Sequence, residues 1–254
     1  MFAQERHSLI LQALDRDGSV RVASLARELQ VTEETVRRDL ERLGQDGRLL
    51  RTHGGALQLD NGSRRELPFA VRSTAQLSEK RSIASNALSH IVEGDVIAID
   101  GSSSGYCLAC SLPDIPLTVI TPSVPVVAAL ADKNHIRVVC LGGYLDSTSM
   151  SFSGPLMEFA VQQFNIHKLF ISCKGLDIER GLSETTDSLA AVKKCLIARA
   201  DRTYLLADHT KFSVRSAVVF AALSDVDVII TDQNTAPDLL RGFAAAGPAI
   251  FNAA

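Results

Sequence analysis

Six short apolar runs rich in β-branched residues, at 96–99, 117–120, 136–141, 169–171, 203–207 and 226–230, are each followed by residues that can hold an anion or a polyol. The first ends in Asp100-Gly101-Ser102-Ser103-Ser104-Gly105 and the second in Thr121-Pro122-Ser123. Gly142-Gly143 follows the third, Cys173-Lys174-Gly175-Leu176-Asp177 the fourth, Asp208-His209-Thr210-Lys211-Phe212 the fifth and Thr231-Asp232 the sixth. Hydroxyls and glycines that open a helix over 106–112 suit a phosphate, because free N–H groups and the helix dipole favour negative charge there. Lys174, Lys193 or Lys211 can neutralise that charge, and Asp100, Asp177 and Asp208 can accept bonds from sugar hydroxyls. The expected ligand set is therefore Asp100, Gly101, Ser102, Ser103, Ser104, Thr121, Ser123, Gly142, Gly143, Lys174, Asp177, Lys193, Asp208 and Lys211. A serine-rich turn without a ligand also fits the 100–105 loop, and a solvated helix face also fits Lys193-Lys194.

A second set of residues suits a different partner. Residues 1–60 contain nine arginines, no lysine and ten acids, so any nucleic-acid footprint must come from arginine placement and not from bulk charge. Leu9, Ile10, Ala13 and Leu14 recur at helical spacing, and Asp17-Gly18 stops that helix. After the extended lead-in Val20-Arg21-Val22, a second helix carries Val22, Leu25, Ala26 and Leu29 on one stripe. Gln30-Val31 turns the chain, and Thr32 caps a third helix with Glu33 and Glu34 at the positive end of its dipole. At roughly 100° per residue Val36, Leu40 and Leu43 face the core, which turns Thr35, Arg38 and Arg42 outward. Two helices joined by a short turn, the second presenting Thr and Arg, are how a helix-turn-helix reads the major groove. Thr32, Thr35, Arg37, Arg38 and Arg42 are expected at DNA. Arg48, Arg51 and His53 are expected there too, from a hairpin wing around Gly54-Gly55.

These sites require two domains. The polar stretch Asp60 to Pro68 has turn formers and no periodicity. It divides a DNA-binding domain, 1–59, and a linker, 60–78, from a ligand domain, 79–254. In the last, near-continuous apolar strands alternating with helices imply a parallel sheet buried on both faces. At 46% hydrophobic, 22% charged and net −3, the 254 residues have an ordinary globular composition. With neither a signal peptide nor a long apolar span, a cytoplasmic protein without membrane contact is expected. Five scattered cysteines argue against disulfides, and the isolated Cys107-x-x-Cys110 against metal.

Arg6 with Ile10, Val22-Ala23-Ser24-Leu25-Ala26, the run Val31 to Leu40, and Arg51-Thr52-His53-Gly54-Gly55-Ala56 resemble the winged helix-turn-helix of the DeoR family of bacterial sugar-catabolism regulators. Glu79-Lys80, the 100–104 loop, Leu141-Gly142-Gly143, Gly154-Pro155, Gly175-Leu176-Asp177, Gly181-Leu182-Ser183, Lys193, Asp208 with Lys211-Phe212, and Thr231-Asp232 resemble its sensor domain. That domain shares its fold with ribose-phosphate isomerases and CoA transferases. The resemblance covers nearly the whole chain. It implies an α/β protein with an N-terminal winged helix-turn-helix and a C-terminal, mainly parallel α/β sensor domain. By this resemblance the chain is a non-enzymatic repressor of a carbohydrate operon, without cofactor or metal. Its partners would be operator DNA, a phosphorylated sugar and further copies of itself, as a dimer or tetramer. Ser102-Ser103-Ser104 stand where the family usually has Gly-Thr-Thr, with Gly101 one place early, and Pro122 where Asn is usual. Asp100-Gly101-Ser102-Ser103, Leu112-Pro113-Asp114-Ile115 and Phe170-Ile171-Ser172-Cys173 are closer to members that activate L-fucose operons. That implies, as the alternative, an activator responding to a 6-deoxyketose 1-phosphate. The isomerase-like fold keeps an enzyme as the rival class, with Asp177, Glu184 and Lys193 as its acid–base candidates.

Overall fold

The computed structural model describes residues 3–45, 48–52, 54–58 and 66–253, and divides the chain into two compact units, Met1–Ser63 and Arg64–Ala254. In the first, α1 (Ala3–Asp17), β1 (Ser19–Arg21), α2 (Val22–Glu28), α3 (Glu33–Gln45), β2 (Leu49–Thr52) and β3 (Gly55–Gln58) follow in order. Ile10 and Leu14 from α1, Leu25 from α2, Leu29 just after it, and Val36, Leu40 and Leu43 from α3 make one buried core, the stripes expected from their spacing. Gly18, at φ 71°, ends α1 in the left-handed region that glycine adopts at no steric cost. The extended lead-in is β1, which pairs antiparallel with β3, as β2 also does from the other side. Gly55 permits that sheet: a Cβ there would lie 1.9 Å from the Val20 carbonyl oxygen.

The second unit contains α4 (Phe69–Arg72), α5 (Leu77–Leu88), β4 (Val96–Ile99), α6 (Ser103–Ser111), β5 (Leu117–Thr121), α7 (Val124–Leu130), β6 (Ile136–Cys140), β7 (Tyr144–Asp146), β8 (Ser151–Ser153) and α8 (Pro155–Val161). It continues with β9 (Lys168–Ile171), β10 (Gly175–Asp177), β11 (Gly181–Glu184), α9 (Asp187–Ile197), β12 (Thr203–Leu206), β13 (Val218–Ala221), β14 (Val228–Asp232), α10 (Pro237–Ala245) and β15 (Ala249–Ala253). Seven strands pair in the order β15-β14-β12-β9-β4-β5-β6, every neighbour parallel. Alternate side chains feed two cores: Ile97, Ile99, Phe170, Tyr204, Leu206, Val228 and Ile230 on one face, Ala98, Leu169, Ile171, Leu205 and Ile229 on the other. This is the two-sided burial that continuous apolar strands require. Strand order reverses between β4 and β9, which makes their carboxyl ends the topological switch point where open α/β sheets bind ligands.

Three features differ from the sequence reading. Residues 66–78 are not linker: α4 and the start of α5 are fixed to the second unit, with Phe69 N donating to Thr148 O at 2.8 Å and Thr185 Oγ1 to Glu66 Oε2 at 2.6 Å. The helix expected from residue 106 starts at Ser103, because the Ser102 hydroxyl caps it by accepting from Gly105 N at 2.9 Å. The strands β7–β8 and the antiparallel sheet β10-β11-β13 lie outside the parallel sheet, and β15 extends it by a strand that was not expected.

Candidate functional site

The first unit presents a helix surface bearing threonine and arginine. Thr32 Oγ1 accepts from Thr35 N at 3.3 Å and lies 2.9 Å from Thr35 Oγ1, so the cap and the first outward residue form one polar corner. Arg37 and Arg38 are exposed and held by acids of their own helix: Arg37 Nη2 to Glu33 at 2.7 Å, Arg38 Nε to Glu34 at 3.3 Å. Such surface pairs are weak and exchangeable, so both guanidinium groups are available to a phosphate or a base edge. Arg42 and Arg48 are exposed beside α1, lining a groove of ≈ 810 Å³ with Gln4, His7 and Ser8. Arg51 instead turns inward to donate to the Arg37 carbonyl at 2.7 Å, tying the wing to α3. His53 lies outside the described residues.

Asp39, which the sequence reading left without a role, anchors this surface. Arg6 donates to it through Nε at 2.7 Å and Nη2 at 3.0 Å, and His7 Nε2 lies 3.0 Å away. Burial pushes the Asp39 carboxyl up, but the bonds from Arg6 and His7 override it and hold it below the usual carboxylate range. A signal was present: Arg6 precedes Ile10 by four residues and Asp39 follows Val36 by three, so both flank the apolar stripes of their helices.

In the second unit the switch point holds a buried charge cluster. Asp100, fully buried after β4, accepts from Ser102 N at 3.1 Å, Ser102 Oγ at 2.5 Å and, across the switch, Ser172 N at 3.0 Å. Lys193 of α9 reaches the same place: its Nζ donates to Ser172 O at 2.5 Å and Glu184 Oε1 at 2.5 Å, and lies 3.1 Å from Asp100 Oδ2. Burial lowers an ammonium, but Glu184 and Asp100 outweigh it and raise Lys193 above the ordinary lysine value. Beside it, burial pushes the Cys173 thiol up to about 12. Ser103 and Ser104 form the first turn of α6, where N–H groups have no intrahelical acceptor.

Next to this cluster, at the end of β12, buried Asp208 binds Thr210 N at 3.0 Å and faces Lys211 at 4.0 Å. Burial pushes the Asp208 carboxyl up, yet Lys211 and the Thr210 hydroxyl bring it below its usual range. Lys80 enters from α5, its Nζ donating to Arg72 O at 2.6 Å and to Ala75 O. Burial takes this lysine down to about 8, against the opposing pull of Asp208.

Asp100, Ser102, Ser103, Ser104, Lys193, Asp208 and Lys211 therefore converge on the carboxyl edge around β4, β9 and β12. Thr121 and Ser123, at the end of β5, are fully buried: Thr121 Oγ1 accepts from Ser123 N at 3.1 Å, and Ser123 Oγ caps α7. Gly142 is open, whereas Gly143, at φ 141°, would bring a Cβ within 2.5 Å of Ser153 O and serves the turn into β7. Gly101 packs on Ser151. Lys174 is half-buried just before β10. Asp177 does not join the cluster. It closes the β10–β11 turn through Glu179 N and Arg180 N and pairs with Arg215 at 2.7 Å, so the acid–base set Asp177, Glu184 and Lys193 is split. Lys80 was missed as a site residue, and Glu184 was named only for the enzyme reading. Among the described residues no group of three or more His, Cys, Asp or Glu is placed to hold a metal, and no helix is long and apolar enough to cross a membrane.

Residues 6–61 match the DeoR-like helix-turn-helix domain and residues 75–233 the DeoR C terminal sensor domain. The chain is 39% identical over 237 residues to the HTH-type transcriptional regulator YulB of Bacillus subtilis (strain 168), spanning 93% of this chain and 92% of that one. It is 35% identical to the L-fucose operon activator of Haemophilus influenzae, over 94% of this chain and 95% of that one. With the transcriptional repressor AccR of Agrobacterium fabrum it shares 34% identity over 91% and 90% of the two chains. Among solved structures, ribose 5-phosphate isomerase A from Methanocaldococcus jannaschii aligns with 54% of this chain and 55% of its own at 14% identity and a TM-score of 0.41.

Proposed function

The chain belongs to the DeoR family of transcriptional regulators, and from that premise we propose that it represses a carbohydrate-catabolism operon under the control of a phosphorylated sugar bound at the carboxyl edge of its parallel sheet. The carrying observation is the start of α6 at the switch point. There Ser103 and Ser104 offer hydroxyls and first-turn amides, with Lys211 and Lys80 nearby and Asp100 and Asp208 available to sugar hydroxyls. Thr35, Arg38 and the exposed arginines around them meet operator DNA. Two half-sites require at least two copies, since one module buries too little surface for specific affinity. The likeness to the L-fucose operon activator supports one second reading, an activator of a deoxysugar operon with a 6-deoxyketose 1-phosphate as effector.

Titration calorimetry of the full chain with a panel of sugar phosphates and the matching free sugars tests the effector site. One phosphorylated sugar binds and its free form does not, and Ser103→Ala with Ser104→Ala weakens it at least about tenfold, the loss of one or two charge-assisted bonds. Equal binding of phosphorylated and free sugar, or unchanged affinity in the double variant, places the phosphate elsewhere.

A further inference from the structure

Residues 66–76 open the described part of the second unit, next in the chain to the DNA-binding unit. None of them is buried, and α4 sends no side chain into the core. A segment with so little apolar burial opens easily, so a few polar anchors decide how tightly it is held. Three of them run to the carboxyl edge of the sheet. Glu66 accepts from Thr185 Oγ1 at 2.6 Å and pairs with Arg72 at 2.9 Å, and Thr185 N in turn donates to Glu184, the acid that Lys193 holds. Arg72 O and Ala75 O both receive the Lys80 ammonium. The Phe69 ring packs edge-on against Tyr106, 5.3 Å between centroids, on the helix whose first turn presents Ser103 and Ser104. Bonds from Phe69 N to Thr148 O and from Arg72 Nη2 to Ser149 O fasten the segment elsewhere.

Lys80 stands out among these anchors. It is 5% exposed, yet its ammonium meets two neutral carbonyls and is paired with no carboxylate among the described residues; Asp208 acts on it from further away. Lys193, equally buried, holds both Glu184 and Asp100. A buried cation without a counter-charge gives up its proton readily, which is why burial takes Lys80 down to about 8. An ammonium also has a third N–H to give once two are spent on the segment. We propose that residues 66–76 act as a strap whose hold is set by the ligand site, and that an anion taken up beside Lys80 tightens it. The anion accepts from the remaining N–H and keeps the lysine charged. Bonds from a charged donor are roughly twice as strong as neutral ones, so both bonds to Arg72 O and Ala75 O strengthen together. The strap thereby passes from loosely to firmly ordered, a transition of the kind that phosphates impose on switch segments. This device presupposes the phosphate site at the start of α6, and adds the route by which that site reaches the chain leading to the DNA-binding unit.

Hydrogen–deuterium exchange of the full chain is the test, read by mass spectrometry on peptides spanning 66–80. Inorganic phosphate and the sugar phosphate with the largest calorimetric heat are the probes. The reporting amides are Phe69 and Arg72 to Ala75, which donate to Thr148 O, Pro68 O, Phe69 O and Val71 O. In the parent a saturating probe slows their exchange at least about fivefold. Lys80→Met speeds exchange in the free chain and abolishes the slowing. Glu66→Ala removes the other end of the strap and no group assigned to the ligand. It also speeds exchange, and it weakens the probe in calorimetry, because coupling between two sites is reciprocal. Exchange that is equal with and without a bound probe overturns the strap and leaves the ligand site standing, as does a slowing that survives Lys80→Met. If Lys80→Met does not fold, Glu66→Ala decides alone: probe affinity and strap exchange both equal to the parent's overturn the coupling. If neither phosphate nor any sugar phosphate binds, the ligand site falls and the strap with it.

Discussion

Replacing Lys193 by Met removes an ammonium with three acceptors: Ser172 O and Glu184 Oε1, each at 2.5 Å, and Asp100 Oδ2 at 3.1 Å. Methionine keeps most of the aliphatic volume, so the loss is electrostatic and not a cavity. Breaking a buried ion pair costs about 3–5 kcal/mol, because the partner charges stay buried. The two carboxylates are unequally supported. Asp100 keeps Ser102 N, Ser102 Oγ and Ser172 N, whereas Glu184 keeps Thr185 N at 3.3 Å. Glu184 is therefore the carboxylate left with the least compensation in the variant. In the parent, Lys193 is raised, so its contribution is complete below the unfolded value of about 10.4 and is lost only as pH climbs through the folded value above it. Between about pH 5.5 and 8 it is constant. Urea unfolding followed by tyrosine emission isolates the effect: Tyr106, Tyr144 and Tyr204 all lie in the second unit and the chain has no tryptophan. The expected deficit is about 4 kcal/mol throughout the range of about pH 5.5 to 8, and adding Glu184→Gln restores part of it. A deficit under about 1 kcal/mol, or one that Glu184→Gln leaves unchanged, refutes the role given to this cluster.

Arg38→Ala lowers operator affinity by about 1–3 kcal/mol in an anisotropy titration while leaving the thermal midpoint unchanged, since its pair with Glu34 is a surface one; full affinity would remove Arg38 from the DNA surface. Asp39→Asn costs the first unit about 3 kcal/mol, read by far-UV dichroism in urea, because Arg6 loses its buried partner. With its pKa depressed, Asp39 contributes stability above the unfolded value of about 3.9 and loses it as pH falls through the lower folded value, so the parent loosens below about pH 4 and the variant shows no such step. Gly55→Ala disrupts the wing, where a Cβ would sit 1.9 Å from Val20 O, while Gly54→Ala, with nothing within 4 Å, leaves the folded state intact; equal dichroism melts for the two would contradict the close β1–β3 approach.

Elements that bury a regular stripe were legible in the sequence, such as α1 to α3 through Ile10, Leu25 and Leu40, and β4, β9 and β12 through their continuous apolar runs. The carboxyl-edge loops followed, because a parallel sheet delivers every strand end to one side. Short elements defined by their partners were not legible. β15 is a five-residue edge strand with exposed Phe251, and β7–β8 and β10–β11 are three- and four-residue strands whose pairing is a tertiary fact. Lys193 looked ambiguous because Lys194 adjoins it. On α9 the two diverge by one helical step, leaving Lys193 in line with buried Ala190 and Leu196 and Lys194 in solvent. Ser102 resembled its serine neighbours, although its place before α6 makes it a cap whose hydroxyl is already engaged. Asp177, with the right chemistry at a strand end, is diverted because its chain leaves the sheet edge for the β10–β11 turn.

Under the proposed function, the carboxyl-edge site governs the Thr35–Arg38 surface. This control is tested most directly by fluorescence anisotropy with DNA from upstream of the protein's own transcription unit, at fixed salt, with and without each sugar phosphate. Salt is held because phosphate contacts make affinity steeply salt-dependent. Tight binding that one phosphorylated sugar shifts by about 5–150-fold, that its free sugar leaves alone, and that Ser103→Ala with Ser104→Ala makes insensitive is the predicted result. Operator affinity that no sugar phosphate alters, or a response that survives the serine replacements, would contradict it.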